Sequence, residues 1–106
     1  MLTVGETVKI TLRVHPGIDL RRERSLPVVQ RCVEASRTRP GFRIKHFAVE
    51  PDRIVLTCQA DDSRALSRAM QGLTICVARR LNRAVGRKGQ LFAERYQARI
   101  VRKRQG

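Results

Sequence analysis

Tryptophan is absent from this 106-residue sequence, and three Phe and one Tyr are all the aromatic side chains it has. An aliphatic core follows, and a surface that stacks bases on aromatic rings has few residues to draw on. Cysteine is also scarce. Cys32, Cys58 and Cys76 stand far apart, with no Cys-x-x-Cys pair and no His at ligand spacing, which argues against a zinc site. An odd count of cysteines suits buried thiols in a reducing compartment rather than a disulfide framework. No apolar run of signal-peptide or membrane length follows Met1, so a soluble, cytoplasmic protein is expected. Acidic residues are the other shortage: 9 Asp and Glu stand against 23 Lys and Arg, a net charge of +14.

That imbalance says little about the fold and much about partners. A domain this small and this positive repels itself unless a polyanion sits on it. Nucleic acid is the first candidate and an anionic membrane surface the lesser one. Most of the cations are Arg, whose guanidinium forks onto phosphate oxygens and guanine edges in a way an ammonium does not. A genome rich in G and C would explain the choice of Arg over Lys, but not the excess of cations. The length bounds the chain to one domain, residues 1–106, with one modest core.

Val8, Ile10, Leu12 and Val14 alternate with Lys9, Thr11 and Arg13, which predicts a half-buried strand over 8–14. His15-Pro16-Gly17 ends it. Ser25 is placed to cap a helix over 25–37 in which Val28, Val29, Cys32 and Val33 recur at helical spacing. Thr38-Arg39-Pro40-Gly41 stops that helix. Strands over 42–50 and 53–60 flank a Pro51-Asp52 turn, with Ile54, Leu56 and Cys58 on one face and Arg53, Val55 and Thr57 on the other. Asp61 and Asp62 offer an N-cap to a long helix over 62–85, whose apolar stripe runs through Leu66, Ala69, Met70, Leu73, Val77, Leu81 and Val85. Gly72 costs about 1 kcal/mol inside that helix and so points to close packing. A last strand is expected near 95–102. The order strand, helix, strand, strand, helix, strand predicts an α+β, ferredoxin-like βαββαβ domain: a four-stranded antiparallel sheet with two helices on one face.

Several segments resemble one family. Val8-Lys9-Ile10-Thr11-Leu12-Arg13-Val14-His15-Pro16-Gly17 is similar to the opening strand of the REP-associated tyrosine transposases, single-tyrosine enzymes of the His-hydrophobic-His nuclease superfamily. Ser67-Arg68-Ala69-Met70-Gln71-Gly72-Leu73 resembles the signature of their second helix. Leu81-Asn82-Arg83 and Gly89-Gln90-Leu91-Phe92-Ala93-Glu94-Arg95-Tyr96 resemble the Asn-Arg pair and the Gly-x-x-Phe-x-x-Arg-Tyr strand entry that follow. The resemblance implies binding of single-stranded DNA. In the family, a tyrosine on a C-terminal helix attacks the phosphodiester, and two histidines at alternate positions of the third strand hold a divalent metal. Here those two positions hold Arg53 and Val55, neither of which is a metal ligand. His15 falls in a turn and His46 on the neighbouring strand. The family's nucleophilic helix lies beyond the last strand of this sequence, and Tyr96 occupies the place of the strand tyrosine.

The resulting expectation is a degenerate transposase relative that binds DNA, single-stranded or hairpin, without cutting it and without a metal or other cofactor. The expected contacts are Lys9, Arg13, Arg53 and Arg99 on the sheet face opposite the helices, together with Arg79, Arg83, Arg87, Lys88, Arg95 and the tail residues Arg102, Lys103 and Arg104. As a solvated helix face and tail, several of these would need no ligand. Two other readings stand beside this one. One is an active strand-cleaving enzyme with Tyr96 as nucleophile and Glu50 and Asp52 on a metal. The other is an RNA-binding ferredoxin-like module. A sheet edge without its usual cover also invites strand pairing with a second copy, a homodimer.

Overall fold

The computed structural model describes residues 6–93 and 95–101. Its elements in chain order are β1 (Glu6–Arg13), α1 (Ser25–Ala35), β2 (Thr38–Arg39), β3 (Phe42–Glu50), β4 (Arg53–Ala60), α2 (Ser63–Val85) and β5 (Gln97–Val101). The strands form one antiparallel sheet in the order β2-β3-β4-β1-β5. The two helices pack on each other and against one sheet face, and no described helix covers the other, the open face.

Alternation sets the two faces. Val8, Ile10 and Leu12 of β1 and Ile54, Leu56, Cys58 and Ala60 of β4 are buried under the helices, and they share one core with Val29, Cys32 and Val33 of α1 and Leu66, Ala69, Met70, Leu73, Val77 and Leu81 of α2. Each fully buried aliphatic side chain of this kind contributes about 1.5–3 kcal/mol of transfer free energy. Cross-strand partners share a face, so the β1–β4 register, Arg13↔Arg53 through Glu6↔Ala60, puts Lys9, Thr11, Arg13, Arg53, Val55 and Thr57 on the open side.

The sheet has five strands where the sequence pattern predicts four. Pro40-Gly41 does more than stop α1: with Gly41 at φ 72°, it turns Thr38-Arg39 back onto Phe42-Arg43 as the short edge strand β2. Only a residue without a Cβ adopts that backbone at little cost. A second departure lies in β3, where the register shifts between Ile44 and His46. Lys45 is the extra residue of a bulge, which keeps both Ile44 and Val49 in the core although they are an odd number of positions apart.

Capping follows expectation at α2 and departs from it at α1. Asp62 Oδ1 accepts the Ala65 N–H at 2.7 Å, and Gly86 closes the helix in the left-handed conformation, φ 68°. At α1 the cap residue is Arg24, without a side-chain bond, and Ser25 is already helical and buried. The Ser25 and Leu26 N–H groups both donate to Arg22 O at 2.9 Å, so a preceding turn satisfies the donors that a Ser cap would otherwise serve. Val85, expected at the end of the apolar stripe, is 43% exposed because α2 outruns the core there.

Candidate nucleic-acid interface

The open face of the sheet is built in rows that cross the strands. One row runs His46, Thr57, Lys9, Arg99; the next runs Ala48, Val55, Thr11, Gln97; a third joins Glu50, Arg53 and Arg13; and a fourth runs Arg43, Gln59, Thr7, Val101. Small side chains, Thr7, Thr11, Thr57 and Ala48, make the floor, and cations stand around it. Two cross-strand pairs bring like charges directly opposite each other, Lys9↔Arg99 and Arg13↔Arg53. Such pairs destabilise a sheet unless an anion lies between them.

Acids do not relieve this crowding evenly. Among the described residues, ion pairs join Arg37 to Glu34, and Arg53 to Glu50 and Asp52. Arg53 is held closely: its Nε and Nη2 donate to the two Asp52 carboxylate oxygens at 3.1 and 3.2 Å, with Glu50 at 3.8 Å from Nε. The hydrogen bond from Arg53 holds the Asp52 carboxyl below the usual carboxylate range, and the same bond raises the guanidinium above its ordinary value. Lys9, Arg13, Arg43 and Arg99 make no such pair with any described acid. Arg53 and Val55 therefore sit on the open face of β4 as the strand alternation requires, but Arg53 has its charge partly met within its own hairpin.

The helical cations form a separate surface. Arg79, Arg80 and Arg83 line a recess of about 640 Å³ with Gly72, Ile75 and Cys76. No acid occurs within α2, so its Arg residues at four-residue spacing repel along the helix. Arg39 of β2 reaches over Gly72, where an added Cβ would lie 2.6 Å from Arg39 Nη2; this is the close packing that the glycine allows. Arg87 is turned inward to Asn82 Oδ1 at 3.3 Å and Gly89 O at 3.4 Å, which makes it a loop clasp, while Lys88 is exposed. Arg95 lines a different recess, of about 430 Å³, between α2 and the last strand, with Leu12, Ser67, Met70, Gln71, Thr74, Phe92 and Tyr96. Arg102, Lys103 and Arg104 lie outside the described residues.

Of the expected contacts, the structure gathers Lys9, Arg13, Arg53 and Arg99 on one face and puts Arg79 and Arg83 on another. Arg43 and His46 join the first group without having been singled out. Arg43 was readable, since it alternates with Phe42 and Ile44; His46 was not, because the bulge at Lys45 resets the phase. The alternative catalytic set does not assemble. Tyr96 packs on the helix-covered side with Leu12 and Met70, whereas Glu50 pairs across the hairpin with Arg53 on the open side. All four aromatic residues, Phe42, Phe47, Phe92 and Tyr96, pack on the core.

No protein-family model and no curated protein matches the chain. Solved structures do share its fold. One is a REP-associated tyrosine transposase bound to a REP hairpin, with a TM-score of 0.72 at 17% identity over 98% of this chain and 61% of that one. A candidate transposase from Deinococcus radiodurans R1 gives 0.73 at 16% identity, over 92% of this chain and 79% of that one. A C-terminal segment of the alpha subunit of aIF2 from Pyrococcus abyssi gives 0.54 at 11% identity, over 94% and 51%. The chain thus spans about three-fifths of the hairpin-bound transposase, and its architecture, two helices on an open antiparallel sheet, is a transposase-like fold.

Proposed function

We propose that this chain is a ferredoxin-like DNA-binding domain of the transposase type, extended by the edge strand β2, and that it holds single-stranded or hairpin DNA on the open sheet face without cutting it. The observation that carries this reading is the like-charge cross-strand pair Lys9↔Arg99, with Arg13 and Arg43 also unmatched by any described acid, around a floor of small side chains. Folding gains nothing from the Lys9↔Arg99 repulsion; a phosphate between the two turns it into two charge-assisted hydrogen bonds. The hairpin-bound transposase of the same fold makes DNA the favoured polyanion.

The absence of cutting rests on the chemistry of the positions. Arg53 and Val55 stand where the resemblance expects metal-holding histidines, and Arg53 engages both nearby carboxylates. Tyr96 lies on the far side of the sheet from them. The RNA-binding reading is disfavoured because ferredoxin-like RNA modules stack bases on aromatics of the open face, and the four aromatic residues here pack on the core. The test is incubation with a hairpin carrying a single-stranded flank, with magnesium or manganese present. The complex should form with the DNA intact and no covalent adduct. A 5′-phosphotyrosine adduct that disappears in Tyr96→Phe would establish the enzyme instead.

A further inference from the structure

The two helices meet at a pair of thiols. Cys32 of α1 and Cys76 of α2 lie with their sulfurs 3.0 Å apart, the Cys76 thiol donating to Cys32. They are separated by 44 residues in sequence and by nothing in space. A disulfide would bring the two sulfurs about 1 Å closer, to roughly 2.05 Å. Their surroundings differ. Cys32 is fully buried in the core, whereas Cys76 is half-buried and opens into the recess lined by Arg79, Arg80 and Arg83. The recess gives a small polar oxidant a path to Cys76, whereas Cys32 is sealed from solvent.

We propose that Cys32 and Cys76 form an oxidisable dithiol that peroxide converts into a disulfide clamping α1 to α2. Cys76 is the attacking group. Its thiolate displaces hydroxide from hydrogen peroxide and becomes a sulfenic acid. The Cys32 thiol then attacks that sulfur, forming the S–S bond and releasing water, so that one peroxide and two thiols give one disulfide and two waters. Burial, together with the hydrogen bond from the Cys76 thiol, pushes the Cys32 thiol up to about 12, so peroxide meets the accessible Cys76 first, and Cys32 reacts only with a sulfenic sulfur already placed beside it. Cys58 takes no part: it is buried in β4 with its thiol aimed at Val8 O, 3.6 Å away.

The experiment is peroxide treatment of the wild-type protein, alkylation of the remaining thiols, and mass spectrometry of a non-reduced tryptic digest. The expected product is the fragment 32–37 joined to the fragment 69–79, lighter by two hydrogens and separated again by dithiothreitol. Cys58 should be alkylated only after denaturation. The oxidised protein should melt about 10 °C or more above the reduced one, because the crosslink closes a long loop in the unfolded chain. Cys76→Ser should leave Cys32 unoxidised. Cys76 recovered as a sulfinic or sulfonic acid beside a free Cys32, a dimer joined through Cys76, or rapid oxidation of Cys32 in Cys76→Ser would each overturn the proposal.

Discussion

The two faces of β4 are made by alternate residues of one strand, yet they obey different rules. Ile54, Leu56 and Cys58 are buried to within 1% exposure, and every one is explained by folding. Arg53, Val55 and Thr57 point the other way, beside Arg13, Thr11 and Lys9, and folding does not explain the cations among them. A stable sheet of this topology would be served as well or better by acids opposite Lys9 and Arg13. The contrast separates residues that the chain needs in order to fold from charges that folding leaves without a role. It also separates Arg53, held by Asp52 and Glu50, from Lys9 and Arg99, which face each other with no described acid paired to either.

The largest effect should come from the covered face. Leu56→Ala should lower stability by about 2–5 kcal/mol in urea denaturation, through lost burial and the cavity left behind, whereas Val55→Ala on the same strand should cost well under half as much. Equal costs would dissolve the distinction between the faces. Gly72→Ala should change stability by about 1 kcal/mol or less, helix propensity favouring Ala while Arg39 is displaced from above the helix; a large loss would mean that Arg39 is fixed rather than yielding. A smaller effect is expected at the like-charge pair. Lys9→Thr should stabilise the protein by a few tenths of a kcal/mol at low salt, and the gain should vanish at high salt. A loss of stability would show that Lys9 has a structural partner.

Burial also makes a pH prediction. Desolvation pushes the Cys58 thiol from 9.0 up to about 11, so the folded state holds its proton more firmly than the unfolded state does. The associated stability is complete below pH 9, the unfolded value, and is lost as pH rises from there through about 11. The melting temperature should fall across that window, and less steeply in Cys58→Val. An identical slope in the variant would assign the effect to other groups.

Much of this was legible in the sequence because the patterns were of the kinds that physics enforces strongly. The alternation of Val8 to Val14 and the helical stripe from Leu66 to Leu81 mark surfaces that must be buried, and each is found buried. Asp62 and Gly86 punctuate α2 as their chemistry demands. What was not legible depended on non-local pairing. Thr38-Arg39 becomes a strand only because Phe42-Arg43 lies within reach, and neither residue announces it. The bulge at Lys45 is a matter of register with β4, so His46 joined the open face unforeseen. The engagement of Arg53 by Asp52 could not be read from adjacency alone, because Asp52 lies in the turn before β4, where strand alternation does not set the side-chain direction. The Cys32–Cys76 contact joins two helices whose relative rotation no single-helix pattern determines.

The open-face cations are proposed to meet phosphate, and a salt titration of binding checks that. Affinity of the wild-type protein for a single-stranded or hairpin DNA is measured across a range of monovalent salt, beside the double variant Lys9→Ala with Arg99→Ala. Each phosphate contact on single strands contributes about −0.7 to the log–log slope, and each on duplex about −0.9. Binding should be tight at low salt, with a steep negative slope in the wild type and a slope shallower by roughly 0.7 to 0.9 in the double variant, whose melting temperature should be unchanged or raised. An identical slope and affinity in the two proteins, or no binding by the wild type at low salt, would contradict it.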